Sequence, residues 1–178
     1  DLPVMINSGS GNQGLTASLP VIVHARAMDK SDEETWRALA LSNLIAIHLK
    51  KNIGNLSAYC GVVSAAAGTA AALAYLNGQS QEVIEKAVVN TLSTTSGVIC
   101  DGAKASCAAK IASSIDAAHL GYALASQSKS FAPGEGITQD GVDQMTKVVG
   151  HLAQVGMRET DKQILAIMMK KEPVAILT

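Results

Sequence analysis

The chain has 178 residues, enough for one domain with a sizeable core or for half of a larger enzyme. It is 48% hydrophobic but only 3% aromatic, so Ala, Leu, Ile and Val must build a core that favours close helix–helix approach over thick sheet sandwiches. The formal net charge of −1, with Lys and Arg scattered and no basic stripe, excludes the electrostatic footprint of a nucleic-acid partner.

The chain starts at Asp1 without a charged segment followed by an apolar one, and reads as a piece cut from a longer polypeptide. Leu15 to Met28 is apolar with Pro20 inside it, which predicts a kink or a late helix start. Ser31-Asp-Glu-Glu34 is a capping box whose acidic residues are a solvated helix start, not a catalytic carboxylate pair. It opens a helix with Leu41, Leu44, Ile45 and Leu49 at helical spacing, closed by "KNIGN" with basic residues and Gly54. The stretch Ser57 to Gly78 is hydrophobic enough to suggest a membrane span. Its Ala/Gly richness and lack of basic anchors point instead to a buried central helix from about Ala58 to Leu76. Ser80 caps a helix running to about Thr94, and "SGVICDGAKASC" breaks the pattern before another from about Ala105 to Ser126. After a loop at Ser128 to Asp140, helices at about Gly141 to Gln154 and Thr160 to Lys170 complete the chain. Strand signals are nearly absent. The expectation is a single all-α domain over residues 1–178, about seven helices around a buried Ala/Gly-rich central one.

Two features carry chemistry. "SGSGNQG" contains G-x-G-x-x-G at Gly9, Gly11 and Gly14, but lacks the flanking βαβ pattern of a dinucleotide site and the Lys-Ser/Thr of a P-loop. What survives is a loop whose backbone N–H groups can approach an anion, with Asn12 and Gln13 adding neutral hydrogen-bonding groups for a small polar substrate. The three cysteines, Cys60, Cys100 and Cys107, are spaced C-x39-C-x6-C. That is not a zinc-ribbon pattern, and an odd count rules out complete pairing into disulfides. Cys60 precedes Gly61 at the head of the buried helix, Cys100 opens the glycine break, and Cys107 begins the next helix. Unrelated packing residues, a metal or cluster site, and redox chemistry all remain open on this evidence.

Taken together, "SGSGNQGLTASLPV", "CGVVSAAAGTAAALAYLNG" and "CDGAKASCAAKI" resemble the iron–sulfur-dependent serine dehydratase α-domain family. The nearer likeness is to its L-cysteine desulfidase and serine-dehydratase-like branch, because the third cysteine of L-serine dehydratases proper lies further beyond the "CD" pair. The resemblance implies that Cys60, Cys100 and Cys107 hold a [4Fe–4S] cluster with one iron open, and that Ser10, Gly11, Asn12 and Gln13 bind an amino-acid substrate. The glycines would then make room for its carboxylate. It further implies β-elimination of L-cysteine to pyruvate, ammonia and hydrogen sulfide, or of L-serine with loss of water. The resemblance also implies that the catalytic base belongs to an upstream half outside this chain, so no base is assigned; the chain alone is expected to be inactive and to be isolable without its cluster.

Asp101 and Lys104 flank the glycine break, either supporting the cluster from behind or serving as a cap and a surface charge. His24, His48, His119 and His151 have no ligand partner at helical spacing and read as core or surface residues; the six methionines read as core filler. The expected setting is a reducing cytoplasm, with no nucleic acid or membrane partner. A domain cut from its other half should expose apolar surface and tend to self-associate. The rival to the enzymatic reading is a non-catalytic helical interaction module.

Overall fold

A computed structural model describes residues 3–54 and 57–169. Among them are seven α-helices and no strand: α1 (Gly11–Ala27), α2 (Asp32–Ile53), α3 (Gly61–Leu76), α4 (Gln81–Thr95), α5 (Cys107–Ser126), α6 (Gly141–His151) and α7 (Arg158–Met168). A π-helical turn, Leu152–Gly156, joins the last two.

The expected central helix is α3. Of its 16 residues only Gly61 and Tyr75 are not buried, and it packs against α1, α2, α4 and α5. Small side chains make this possible. At Gly68 a Cβ would collide with the backbone carbonyl of Ser42, so α2 and α3 cross in near backbone contact. Ser42, buried at this crossing, is satisfied by backbone, its Oγ donating to Ala17 O at 2.7 Å.

α1 begins at Gly11, well before Pro20, and runs through it. The delayed start expected from Pro20 does not occur, and the reason lies in α3. Pro20 has no N–H for the carbonyl of Thr16 four residues back. The buried Thr69 hydroxyl on α3 supplies the missing donor, Oγ1 to Thr16 O at 2.7 Å. This hydrogen bond also fixes α1 along α3, and with it the loop preceding α1.

The capping box of α2 forms as expected: Ser31 Oγ accepts from Glu34 N at 3.3 Å, and Glu34 Oε2 accepts from Ser31 N at 3.0 Å. Gly54, at φ +87, ends the helix. The central helix starts three residues later than expected, with Cys60 as its N-cap, and α5 starts at Cys107. The sixth helix is shorter than expected because its last turn is π-helical, and the expected end of the seventh at Lys170 lies outside the described residues.

No described helix is long and apolar enough to cross a membrane. Apolar surface is exposed along α1 at Leu15, Leu19 and Val23, and on α2 at Trp36 and Leu44. The methionines do not all fill the core. Met145 is fully buried, whereas Met5, Met168 and Met169 are exposed, because the chain ends that carry them lie on the surface.

Candidate functional site

The segments entering α3 and leaving α4 run antiparallel for a single bridge, Tyr59 opposite Ile99. Two backbone hydrogen bonds make it: Cys60 N to Val98 O at 3.1 Å and Cys100 N to Ala58 O at 2.6 Å. Buried Tyr59 locks the pair from behind, its hydroxyl 3.1 Å from Ser96 Oγ. This pairing sets Cys60 and Cys100 side by side although they are distant in sequence. Their thiols stand near enough that each shifts the ionisation of the other.

The chain then turns at Gly102, in the left-handed region at φ +86, and returns as α5. Cys107, its first residue, faces back into the turn: Lys104 N lies 3.5 Å from Sγ, and Sγ donates to Gly102 O at 3.4 Å. One turn further along α5, Lys110 spans the break, donating to Asp101 Oδ1 at 2.5 Å and to Ile99 O at 3.0 Å. All three cysteines, with Lys110, line one cavity of about 190 Å³.

The opposite wall is the glycine-rich loop. Asn7 and Ser10 exchange backbone hydrogen bonds across a two-residue turn whose central Ser8 and Gly9 both have positive φ. Asn7 Nδ2 anchors the turn to Asn43 Oδ1 at 2.8 Å, and Ser10 Oγ caps α1 at Gln13 N. Ser8, Gly9, Ser10, Asn12 and Gln13 face the cavity. Gly11 faces Val4 instead, and a Cβ at Gly14 would collide with the backbone of Met5. Two of the three glycines therefore make room for the incoming chain rather than for a substrate. The close approach that shapes the site is at Gly61, where a Cβ would lie 2.5 Å from Gln13 Cδ. Because residue 61 has no side chain, the Gln13 amide lies flat on the head of α3, beside Cys60. It is 5% exposed and its Oε1 has no hydrogen-bond partner.

Charge in the cavity is arranged around the thiol pair. The neighbouring Cys60 thiol holds Cys100 down to about 6, opposed by burial and helped by a backbone N–H and Lys110. The neighbouring Cys100 thiol, with burial, pushes Cys60 up. Lys50, in the last turn of α2, also lines the cavity; it is 7% exposed, and burial pulls its ammonium below the usual lysine range. Lys110 is pushed up by its carboxylate partner Asp101.

Of the residues singled out in the sequence, Ser10, Asn12, Gln13, Cys60, Cys100 and Cys107 meet at this cavity, and Gly11 does not. Asp101 lies behind it, holding Lys110. Lys104 is exposed and off the cavity wall, so the cation that faces the thiols from this segment is Lys110. The signal for Lys110 was its i+3 spacing from Cys107 on one helix. The four histidines stand elsewhere, His24 against Asn77 and His48 against Asp143, with His119 and His151 exposed. A hollow of about 320 Å³ between α4 and the 128–140 loop is larger, but Glu82, Glu85, Lys86 and Phe131 line it and no thiol or histidine does.

Among the described residues, no three His, Cys, Asp or Glu side chains are gathered tightly enough to hold a metal ion. A lone zinc bound by all three thiols is thus not what this arrangement offers. Three soft sulfur donors, Cys60, Cys100 and Cys107, border one cavity with Lys50 and Lys110 beside them.

A family profile described as "serine dehydratase alpha chain" matches residues 1–166. The chain is 49% identical over 171 residues to a UPF0597 protein of Desulfitobacterium hafniense, covering 96% of this chain and 40% of that protein. It is 53% identical over 169 residues to a UPF0597 protein of Lachnoclostridium phytofermentans, covering 95% and 40%. A UPF0597 protein of Treponema denticola is 51% identical over 168 residues, covering 94% and 39%. The chain thus spans about 40% of the length of these curated relatives. No solved structure matches it. With nearly its whole length matched, and with the glycine loop and the cysteine-bearing segments drawn together at one cavity, this chain belongs to the serine dehydratase alpha chain family.

Proposed function

We propose that this chain is the cluster-bearing portion of an iron–sulfur-dependent lyase that acts on L-cysteine and yields pyruvate, ammonia and hydrogen sulfide. One observation carries the reading: three cysteines from separate segments border the same small cavity as Asn12 and Gln13. Cys60, Cys100 and Cys107 would hold a [4Fe–4S] cluster, which supplies, when bound, a Lewis-acidic iron for the departing β-group. The donor set fits such a group, since Cys100 is already poised to ionise and Lys110 offsets the negative charge of the thiolates.

The chain's own groups bind and orient. Asn12 and Gln13 face a small polar substrate across the cavity from the sulfurs, and Asp101 fixes the position of Lys110. The elimination removes the α-proton and the β-sulfur of the substrate, and water hydrolyses the resulting enamine, through its imine, to pyruvate and ammonia. No cavity-lining side chain of this chain is assigned as the base that takes the α-proton. That group is expected from polypeptide present in the longer relatives, which is the chain's natural partner, and this chain alone should show no turnover. Three unpaired cysteines support a reducing, cytoplasmic setting for the enzyme. The family's name favours L-serine as the alternative substrate, with water as the leaving group.

Anaerobic reconstitution with iron and sulfide tests the reading. It should give broad visible absorption that Cys60→Ala, Cys100→Ala and Cys107→Ala each abolish. A spectrum unchanged in all three variants overturns it and leaves a helical interaction module. Metal analysis separates iron from adventitious zinc, and pyruvate and sulfide formed by this chain alone would refute the assignment of the base elsewhere.

A further inference from the structure

A second cation on the cavity wall is unexplained by the groups described so far. Lysine is seldom buried without a partner. Lys110 has one, Asp101. Lys50 is 7% exposed, and no carboxylate among the described residues pairs with it; the thiols of Cys60 and Cys100 line the same cavity. Its position near the C-terminus of α2 does not account for its burial, because the adjacent Lys51 is exposed and meets the helix end from solvent.

A second orphan shares the cavity. Gln13 is 5% exposed, is held against Gly61, and has a buried Oε1 that accepts nothing. A lysine whose stem is buried and whose ammonium reaches the cavity without an anion partner, and a buried acceptor without a donor, are together complementary to one small molecule, an α-amino acid zwitterion.

We propose that Lys50 is the carboxylate-holding residue of the thiol cavity, its ammonium taking the α-carboxylate of the substrate while Gln13 Oε1 accepts from the α-ammonium. The anion affinity of Lys50 stands on the cavity alone; naming the anion as an amino-acid carboxylate rests on the lyase reading above. The arrangement leaves the substrate's β-group free to face the sulfurs.

The test uses the chain as it is, with no cofactor added. Iodoacetate and iodoacetamide alkylate the same thiolate, and only the former carries a carboxylate. The ratio of their rates at Cys100, read by peptide mass spectrometry, therefore cancels the thiolate population. Lys50→Gln should lower the iodoacetate-to-iodoacetamide ratio roughly tenfold, the scale of one charge-assisted contact away from bulk water. Lys50→Arg should hold it within about twofold, and Lys104→Gln, the same charge change at an exposed position, should leave it unaltered. An unchanged ratio in Lys50→Gln overturns the proposal, and so does an equal fall in Lys104→Gln. Circular dichroism establishes that each variant is folded.

Should Lys50→Gln fail to fold, the wild-type chain supplies the second measurement. L-serine should protect Cys100 from iodoacetamide roughly tenfold better than L-serine methyl ester, in which the carboxylate is capped. Equal protection by the two, none included, overturns the proposal. Neither readout involves iron or turnover. Cluster assembly can therefore fail while the ratio holds, and the ratio can fail in a chain that assembles the cluster.

Discussion

Replacing Thr69 by Val tests how α1 survives an internal proline. The two side chains are nearly isosteric, so no cavity opens, and the change removes one hydroxyl. In the native chain that hydroxyl donates to Thr16 O at 2.7 Å, the carbonyl that Pro20 leaves without an N–H. Thr16 and Thr69 are both fully buried, so no water replaces the lost donor. The cost is the net hydrogen bond plus the desolvation of an unpaired carbonyl, about 1–3 kcal/mol. For a domain of this size that lowers Tm by about 2–4 °C per kcal/mol. The assay is urea unfolding followed by circular dichroism, for Thr69→Val in the wild-type and in the Pro20→Ala background. Pro20→Ala restores an N–H to Thr16 O, so Thr69→Val should cost at least about 1 kcal/mol less there. An equal cost in the two backgrounds refutes the account, because the hydroxyl would then be stabilising something other than the orphaned carbonyl.

Gly61→Ala should destabilise the chain by about 1–3 kcal/mol by driving a methyl into the Gln13 amide. In a Gln13→Ala background the same change should be close to neutral, and denaturant titration of the four proteins reads the coupling. Cys100 should be the first thiol alkylated, with a pH profile of iodoacetamide labelling that reaches half-maximum near its value of about 6. Cys60→Ala removes the neighbouring thiol that lowers Cys100, so the midpoint should move up, and an unmoved midpoint refutes that cause. Glu34 is held to about 2, first by the hydrogen bond from the Ser31 backbone N–H. A depressed carboxylate stabilises the fold above its ordinary value of 4.5 and loses that contribution as pH falls toward 2. Wild type should therefore exceed Glu34→Gln in stability at pH 7, and the gap should shrink as urea titrations are carried below about pH 4.5.

What could be read in the sequence was local. Ser31 and Glu34 are three residues apart, Gly54 and Gly78 follow helical runs, and α3 has a composition that only a central position accommodates. Each of these signals acts within a turn or two of chain. The site depends on contacts with no periodicity to announce them. A single bridge pair, Tyr59 with Ile99, leaves no alternating pattern, yet it is what brings Cys60 to Cys100. Lys50 and Lys51 are indistinguishable as a basic helix ending, and only the packing of α2 against its neighbours buries one and exposes the other. Gly14 and Gly61 show the same limit. The sequence makes Gly14 part of a ligand-like loop and Gly61 a simple helix start, whereas Gly14 admits the chain's own backbone and Gly61 seats the Gln13 amide. The offset from Lys104 to Lys110 follows from the turn at Gly102, whose geometry a glycine permits without specifying.

The bridge between Tyr59 and Ile99 has a bearing on assembly. It joins backbone on either side of α3 and α4, so it closes only after those two helices have docked as a hairpin. Cys60 and Cys100 sit together only where the two ends of this hairpin meet. Any group held by both sulfurs would also tie the hairpin shut, and its removal would loosen the ends of two helices at once.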